Sequence, residues 1–198
     1  MKPTLKLIGV AGTAGAGKDT VSDMIARQFA MPNLSTSDIV RAITRHVYSL
    51  PHDFNPVRDQ LYVVANFLRN EVNPATMVKL CILMAQVRQL QGGVISGLRS
   101  IGEAEAIRDA GGIIVGVDAE PKIRYERISA RHRDTETLKT FEEFLKQDEY
   151  ENRGLSDQGP SRGIRAIIDS ADVLITNAMT IEELEQEVKN KIAPLLVG

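Results

Sequence analysis

The sequence of 198 residues predicts an α/β fold built on a parallel sheet. Short apolar runs, typical of buried strands, alternate with segments whose apolar residues recur every three or four positions, as in an amphipathic helix. The first apolar run ends in a glycine-rich loop, and a helical pattern starts directly after that loop. Strands and helices that alternate in this way favour a parallel sheet covered by helices.

The individual elements follow from local patterns. Buried strands are predicted at residues 5–10, 93–97, 113–117 and 172–176, and a brief strand or loop at 34–38. Helices are predicted from residue 18, over 39–48 with Ser37 or Asp38 as the cap, over 57–71, 75–91 and 103–110, from the Glu120-Pro121 pair, over 140–150, and after Thr180. The final helix carries a capping box, Thr-Ile-Glu-Glu, and residues 151–165 predict a mobile loop because they are rich in Gly, Ser, Pro and Arg.

Composition excludes several classes of protein. The length suits one compact domain, and the hydrophobic (43%) and charged (25%) fractions are those of a globular chain. The formal net charge of −2 argues against a general nucleic-acid binder, so any phosphate site must be local. A single cysteine excludes a disulfide framework, and no apolar run approaches the roughly 20 residues that span a bilayer. We therefore expect a cytoplasmic protein with no membrane and no nucleic-acid partner.

The glycine-rich loop carries the strongest chemical signal. It has the pattern Gly-x-x-Gly-x-Gly-Lys-x-Thr, and its residues are Gly12, Thr13, Ala14, Gly15, Ala16, Gly17, Lys18, Asp19 and Thr20. Glycines let backbone N–H groups converge on phosphate oxygens, while the helix N-terminus and the lysine add positive charge. The loop predicts ATP binding; a plain glycine-rich turn is the alternative.

The residue after the lysine determines which side chain contacts the metal ion. The usual loop has Ser or Thr there to contact Mg²⁺, whereas this chain has Asp19, with Thr20 one residue later. Thr20, Asp19 or an ordered water could each contact the ion.

The loop resembles that of the nucleoside monophosphate kinases. This resemblance implies a three-layer P-loop NTPase fold whose five parallel strands have the order 2-3-1-4-5. It further implies a single kinase domain over 1–198, with an acceptor-binding insertion at about 36–91 and a lid at about 127–162.

Two further segments resemble the acceptor side of adenylate kinases. Leu-Ser-Thr-Ser-Asp-Ile-Val-Arg at 34–41 implies that Thr36 lies by the acceptor base and Arg41 grips the acceptor phosphate. Gly-Leu-Arg-Ser at 97–100 implies that Arg99 is the second phosphate clamp. The alternative for Arg41 is a solvated side chain on a capped helix.

Glu103 stands where the family has its base-reading Gln. It either accepts hydrogen bonds from a base or is an exposed residue in a helix first turn.

One position departs from the family. Adenylate kinases have an Asp at the end of a strand that steers magnesium through water, and this chain has Ser96 there. Asp118, which closes the strand 113–117, is a candidate for the same role; otherwise it is a loop residue.

The arginines after the strand 113–117 indicate a lid. Positions 124, 127 and 131 share one helical face, and a charge run of this kind is often a solvated face. Kinases of the resembled fold place lid arginines here to neutralise the phosphoryl group in transfer. The resemblance assigns this role to Arg127, Arg131 and Arg133, with Arg153 and Arg162 as further candidates.

The C-terminal part is similar to another kinase family. Ala-Asp-Val-Leu-Ile-Thr-Asn at 171–177, followed by an acidic helix, resembles the end of dephospho-CoA kinases, which implies that Thr176 and Asn177 flank the adenine. The combined pattern resembles an archaeal-type dephospho-CoA-kinase-like group over nearly the whole chain.

These resemblances predict phosphoryl transfer from Mg-ATP to a nucleoside monophosphate, with Lys18, Arg99, Arg127 and Arg131 as catalytic residues. When the acceptor is a phosphate anion, charge neutralisation and positioning suffice, and no general base is needed. One alternative is a dephospho-CoA kinase that phosphorylates a ribose hydroxyl, with Asp19 or Asp38 as base. A second is a nucleotide-switched protein without kinase activity.

Overall fold

Five parallel strands form one sheet with the first strand at its centre. The computed structural model describes residues 5–130, 140–153 and 163–196, apart from the side chains of Tyr150, Glu151 and Arg153. The strands are β1 (Lys6–Gly12), β2 (Asn33–Ser35), β3 (Gly92–Leu98), β4 (Ile113–Asp118) and β5 (Val173–Thr176). Their order is β2-β3-β1-β4-β5, which confirms the predicted order.

The described helices include the eight that the sequence predicts and one more, and they differ from the prediction at several ends. They are α1 (Lys18–Gln28), α2 (Thr36–Val47), α3 (Arg58–Phe67), α4 (Thr76–Val87), α5 (Ile101–Asp109), α6 (Pro121–Ala130), α7 (Phe141–Arg153), α8 (Ile164–Asp169) and α9 (Ile181–Leu196). A π-helical turn, Leu68–Val72, continues α3. The capping box of the last helix is present, because the Glu183 N–H donates to Thr180 Oγ1 and the Thr180 N–H to Glu183 Oε2. None of the described helices is both long and apolar enough to cross a membrane.

Two predicted boundaries are wrong. Helix α2 begins at Thr36, not after Ser37 or Asp38, and Ser35 stands at its N-cap position without a side-chain hydrogen bond to the helix. Its start is set by a distant contact, since Thr36 Oγ1 lies 3.1 Å from the backbone oxygens of both Ser96 and Gly97 in β3. Both ends of the predicted loop 151–165 are helical, because α7 runs to Arg153 and α8 begins at Ile164, while residues 154–162 lie outside the described residues.

Each face of the sheet packs against its own helices. Side chains alternate across a strand, so Ile8 and Val10 of β1 enter one core while Leu7 and Ala11 enter the other. The first core is completed by α1 and α9, through residues such as Met24 and Val188, and the second by α4, α5 and α8. The carboxyl ends of the strands therefore meet at one edge, where ligands bind in open α/β sheets.

The single cysteine belongs to this packing. Cys81 lies on α4 and is 1% exposed. Burial raises the pKa of its thiol to about 12, and the carboxylates of Glu103 and Asp38 act in the same direction. A thiol that stays protonated in this way fills the core as a small apolar group.

Candidate functional site

The glycine-rich loop connects the end of β1 with the start of α1. Gly15 and Gly17 have φ values of +78° and +89°, a backbone conformation that side chains other than glycine rarely adopt. Neighbouring groups also press on both residues. A Cβ on Gly15 would lie 2.6 Å from the backbone oxygen of Arg124, and one on Gly17 would lie 2.2 Å from Asn177 Nδ2. The loop is thus shaped by glycine conformation and by close contact with two later parts of the chain.

The loop has the groups that a phosphate needs. Backbone N–H groups at the N-terminus of α1 lie beside Lys18, whose Nζ is 3.3 Å from Asp19 Oδ2. The side chain of Asp19 is 61% exposed and Thr20 is partly exposed, so both could reach a metal ion on a bound phosphate. Thr13 is buried, and its hydroxyl oxygen has no hydrogen-bond partner among the described residues.

Arg124 of α6 connects the loop to α7. Its side chain is 3% exposed, and Nη1 and Nη2 donate to the two carboxylate oxygens of Asp148, at 2.5 and 2.6 Å. Nε donates to the backbone oxygen of Ala119, and Nη1 also to that of Ala14, at 3.3 Å. Periodicity placed Arg124 on one face with the lid arginines, and it gave no signal that this arginine is an internal link.

Arg127 lies one turn further along α6 and contacts the segment after β5. Its Nη2 donates to Asn177 Oδ1 at 3.3 Å, while Asn177 Nδ2 donates to the backbone oxygen of Ala16 at 2.9 Å. The buried Nη1 of Arg127 has no hydrogen-bond partner in the described part of the chain. The other predicted lid groups, Arg131, Arg133, Arg162 and the side chain of Arg153, lie outside the described residues.

On the acceptor side, Thr36 and Arg41 have different surroundings. Thr36 is 3% exposed and its hydroxyl is shared between two backbone oxygens of β3, so it joins two elements instead of facing an open site. The side chain of Arg41 is 43% exposed and Nη1 lies 3.0 Å from Asp38 Oδ1. Arg41 is therefore accessible to a ligand, but it would have to break its exposed ion pair with Asp38 to bind one.

The structure corrects the interpretation of Glu103. Its side chain is 0% exposed, so it is not an exposed residue, and it presents no open carboxylate to a base. Oε2 accepts hydrogen bonds from the backbone N–H groups of Arg99, at 2.6 Å, and Ser100, at 3.2 Å. Burial raises the pKa of Glu103, while Arg69 and these N–H groups lower it. Glu103 shapes the turn that carries Arg99.

Arg99 occupies this turn at the end of β3. Its side chain is partly buried, and within the described residues its guanidinium makes no hydrogen bond or ion pair. The turn itself is held from three sides, by Thr36, by Glu103 and by Ser100 Oγ, which donates to the backbone oxygen of Pro74 at 3.2 Å. The turn thus presents a guanidinium that forms no hydrogen bond or ion pair within the described residues.

The position of the family's metal-steering Asp and the candidate Asp118 both lie on strands of the sheet. Ser96, which stands at the family's Asp position, is buried in β3, two residues before this strand ends. Asp118 ends β4, where Oδ2 lies 2.7 Å from Arg165 Nη1 and Oδ1 accepts from the Ala119 N–H. Among the described residues, no group of three or more His, Cys, Asp or Glu side chains could hold a metal ion.

A glycine-rich loop after the central strand of a 2-3-1-4-5 parallel sheet defines a P-loop protein of kinase fold. The chain belongs to the family described as an AAA domain, which matches residues 8–151, and to the UPF0200 proteins. The UPF0200 protein of Aeropyrum pernix is 30% identical over 198 residues, which cover 99% of this chain and 97% of the relative.

Solved structures of small-molecule kinases share the fold. Shikimate kinase from Aquifex aeolicus is 18% identical and has a TM-score of 0.53, with 97% of this chain and 99% of that chain covered. A gluconokinase from Sinorhizobium meliloti is 15% identical and has a TM-score of 0.54, with 98% and 95% covered. The similarity extends to the P-loop kinase fold, and the finer resemblance to dephospho-CoA kinases stays a prediction.

Proposed function

We propose that the protein transfers the γ-phosphoryl group of Mg-ATP to a nucleoside monophosphate. The observation that carries this proposal is the position of Arg99 relative to the glycine-rich loop. Ala11 of β1 pairs with Leu98 of β3, so the loop before Lys18 and the turn bearing Arg99 leave the sheet side by side. A donor phosphate on one and an acceptor phosphate on the other would be neighbours.

On the donor side, backbone N–H groups of residues 12–17, the N-terminus of α1 and Lys18 hold the phosphates of ATP. Thr20 or Asp19, directly or through water, contacts the Mg²⁺ that accompanies the nucleotide. Bound Mg²⁺ would neutralise charge on the phosphate oxygens.

On the acceptor side, Arg99 and Arg41 bind the phosphate of the nucleoside monophosphate. A guanidinium forms two parallel hydrogen bonds to a phosphate, and in the described part of the chain Arg99 has no hydrogen bond or ion pair to give up. Residues 36–91 form the acceptor-binding insertion and 127–162 the lid, from which Arg127 and Arg131 would contribute charge to the phosphoryl group in transfer. Positioning and charge neutralisation then lower the barrier without a general base.

A hydroxyl acceptor is the second candidate, and Asp38 favours it. This carboxylate lies in the first turn of α2 and its side chain is 74% exposed, so it could take the proton of an attacking hydroxyl. Two proteins of this fold are named shikimate kinase and gluconokinase, and dephospho-CoA would offer a ribose hydroxyl. A protein that uses ATP only as a conformational ligand is the third candidate, because Ser96 replaces the strand-end Asp.

One experiment separates these candidates. Release of ADP from Mg-ATP is followed with purified protein against nucleoside monophosphates, dephospho-CoA, shikimate and gluconate, each beside a control without acceptor. Turnover with a monophosphate, and a product that carries two phosphates, would support the proposal. Turnover only with a hydroxyl acceptor would replace it with the second candidate. ATP binding without turnover would favour the conformational role.

A further inference from the structure

Asn177 lies just after β5, far along the chain from the glycine-rich loop, yet its side chain touches that loop. It is 5% exposed. Nδ2 donates to the backbone oxygen of Ala16 at 2.9 Å, and Oδ1 accepts from Arg127 Nη2 at 3.3 Å. Both ends of one amide are thus used, one on the loop and one on the lid-side helix α6.

The contact with Ala16 restrains the loop. Ala16 is fully buried, and its carbonyl oxygen accepts the hydrogen bond from Asn177 Nδ2. The same amide nitrogen lies where a Cβ of Gly17 would be, at 2.2 Å, so Asn177 and Gly17 occupy complementary space. A loop binds phosphate with its N–H groups, and a peptide group fixed by a hydrogen bond to its carbonyl limits how far the neighbouring N–H groups can turn.

The contact with Asn177 uses only one of the two terminal nitrogens of the Arg127 guanidinium. Nη2 is bonded to Asn177, while the buried Nη1 has no hydrogen-bond partner among the described residues. A buried N–H group without a partner is unfavourable, and a ligand oxygen that reached it would remove that penalty. An anionic oxygen near the loop is the ligand group that a guanidinium binds best.

We propose that Asn177 is a positioning residue that couples the glycine-rich loop to Arg127, so that nucleoside triphosphate binding and the placement of Arg127 depend on each other. This inference rests on the proposed function, in which the loop binds ATP. Asn177 itself makes no contact with the phosphates. It acts through the Ala16 carbonyl and through the Arg127 guanidinium.

The test is a double-mutant cycle on the affinity for Mg-ATP, measured by calorimetry with no acceptor present. Asn177→Ala and Arg127→Ala should each weaken binding about tenfold, whereas the double variant should be no more than about twofold weaker than the weaker single variant. Asn190→Ala is the matched control. It removes an exposed amide on α9 whose hydrogen bond is to Gln186, and we expect wild-type affinity.

A second variant separates the two ends of the amide. Asn177→Asp keeps an oxygen that accepts from Arg127 and loses the N–H that donates to Ala16. In that background Arg127→Ala should again weaken binding about tenfold, whereas in the Asn177→Ala background it should change little. If Asn177→Ala fails to fold, Asn177→Asp can replace it in the measurement of Mg-ATP affinity.

In turnover with the best acceptor, Asn177→Ala should raise the KM for ATP about tenfold and leave the KM for the acceptor within about twofold. A variant that only disturbed the fold would change the KM values for both ATP and the acceptor. Additive effects of Asn177→Ala and Arg127→Ala would overturn the coupling. Coupled binding in a protein that transfers no phosphate to any acceptor would support the coupling and overturn the proposed function, so the two failures are distinguishable.

Discussion

Arg69 and Glu103 form an ion pair inside the protein, between the acceptor-side helices and the turn that carries Arg99. Arg69 belongs to the π-helical turn after α3 and Glu103 to the first turn of α5. Their side chains are 7% and 0% exposed, and Nε lies 3.5 Å from Oε1 without the alignment of a hydrogen bond. Since Glu103 Oε2 also accepts from the N–H of Arg99, the pair connects the π-helical turn to the predicted phosphate clamp.

Removing the arginine of this pair should be costly. We expect Arg69→Met to lower the free energy of unfolding by about 3–5 kcal/mol, because the buried carboxyl of Glu103 then lacks the guanidinium beside it. Glu103→Gln should cost much less, since burial already disfavours the charged form of this carboxyl. The double variant should lose much less than the sum, and urea unfolding measures all three. As a control, Asp38→Asn breaks the exposed pair with Arg41 and should cost at most about 1 kcal/mol. Additive losses would show that the two side chains do not interact.

The raised pKa of Glu103 gives a pH dependence of defined sign. Between the ordinary value of 4.5 and the raised value, the folded state binds a proton that the unfolded state does not. The cost of burying the carboxylate is therefore largest above the raised value and is relieved as the pH falls through this window. The stability of the wild type relative to Glu103→Gln should increase from pH 7 towards pH 4.5 in urea unfolding. A difference that stays constant over this range would refute the shift.

Lys18→Ala should abolish phosphoryl transfer, to below about a hundredth of the wild-type rate, because charge stabilisation at the phosphates is lost. The helix that follows should persist, so the melting temperature should change by only a few degrees. Lys189→Ala, on the exposed face of α9, is the control with the same loss of charge. Wild-type turnover by Lys18→Ala would contradict the assignment of the loop.

Arg99→Ala and Arg41→Ala should raise the KM for the acceptor and leave the KM for ATP nearly unchanged. Each lost contact should cost roughly 1.5–3 kcal/mol of binding. Arg99→Ala should have the larger effect, since Arg41 must first leave Asp38 and is 43% exposed. Steady-state kinetics with both substrates varied provides the measurement. Equal effects on the two KM values would reject the assignment of both arginines to the acceptor.

Asp148→Ala should destabilise the protein by about 3–5 kcal/mol, because Arg124 would remain buried without its carboxylate. Arg124 also donates to the Ala14 oxygen, so the affinity for ATP should fall as well. Asp169→Ala breaks an exposed pair with Arg165 and serves as the control. Unfolding curves and calorimetry with Mg-ATP distinguish the two effects. Unchanged ATP affinity in Asp148→Ala would mean that the link to Ala14 does not shape the loop.

The sheet and the glycine-rich loop could be predicted because their signals are local. Apolar runs such as residues 5–10 and glycines before Lys18 each fit within one short window. The inward polar contacts could not be predicted, because their partners lie far along the chain. Thr36 meets a carbonyl of Ser96, and Arg124 meets Asp148. A pattern on one helix cannot show whether a polar side chain in its first turn faces solvent or another element.

The same limit explains Glu103 and Asn177. The sequence places Glu103 correctly in the first turn of a helix, yet only the fold shows that its side chain is buried with Arg69 beside it. Asn177 follows a recognisable strand, while its proximity to Ala16 depends on how the segment after β5 reaches the loop.

The position of β1 has a consequence for synthesis on the ribosome. This strand is central, but Lys6 pairs with Gly92 and Ile8 with Ile113, so both of its neighbours are translated much later. Until β3 and β4 emerge, an apolar strand with unpaired backbone groups on both sides is exposed to other chains, a situation that favours aggregation. Nascent chains that end before residue 92 should therefore need protection by a chaperone, and native sheet formation can begin only when the middle of the sequence has left the exit tunnel.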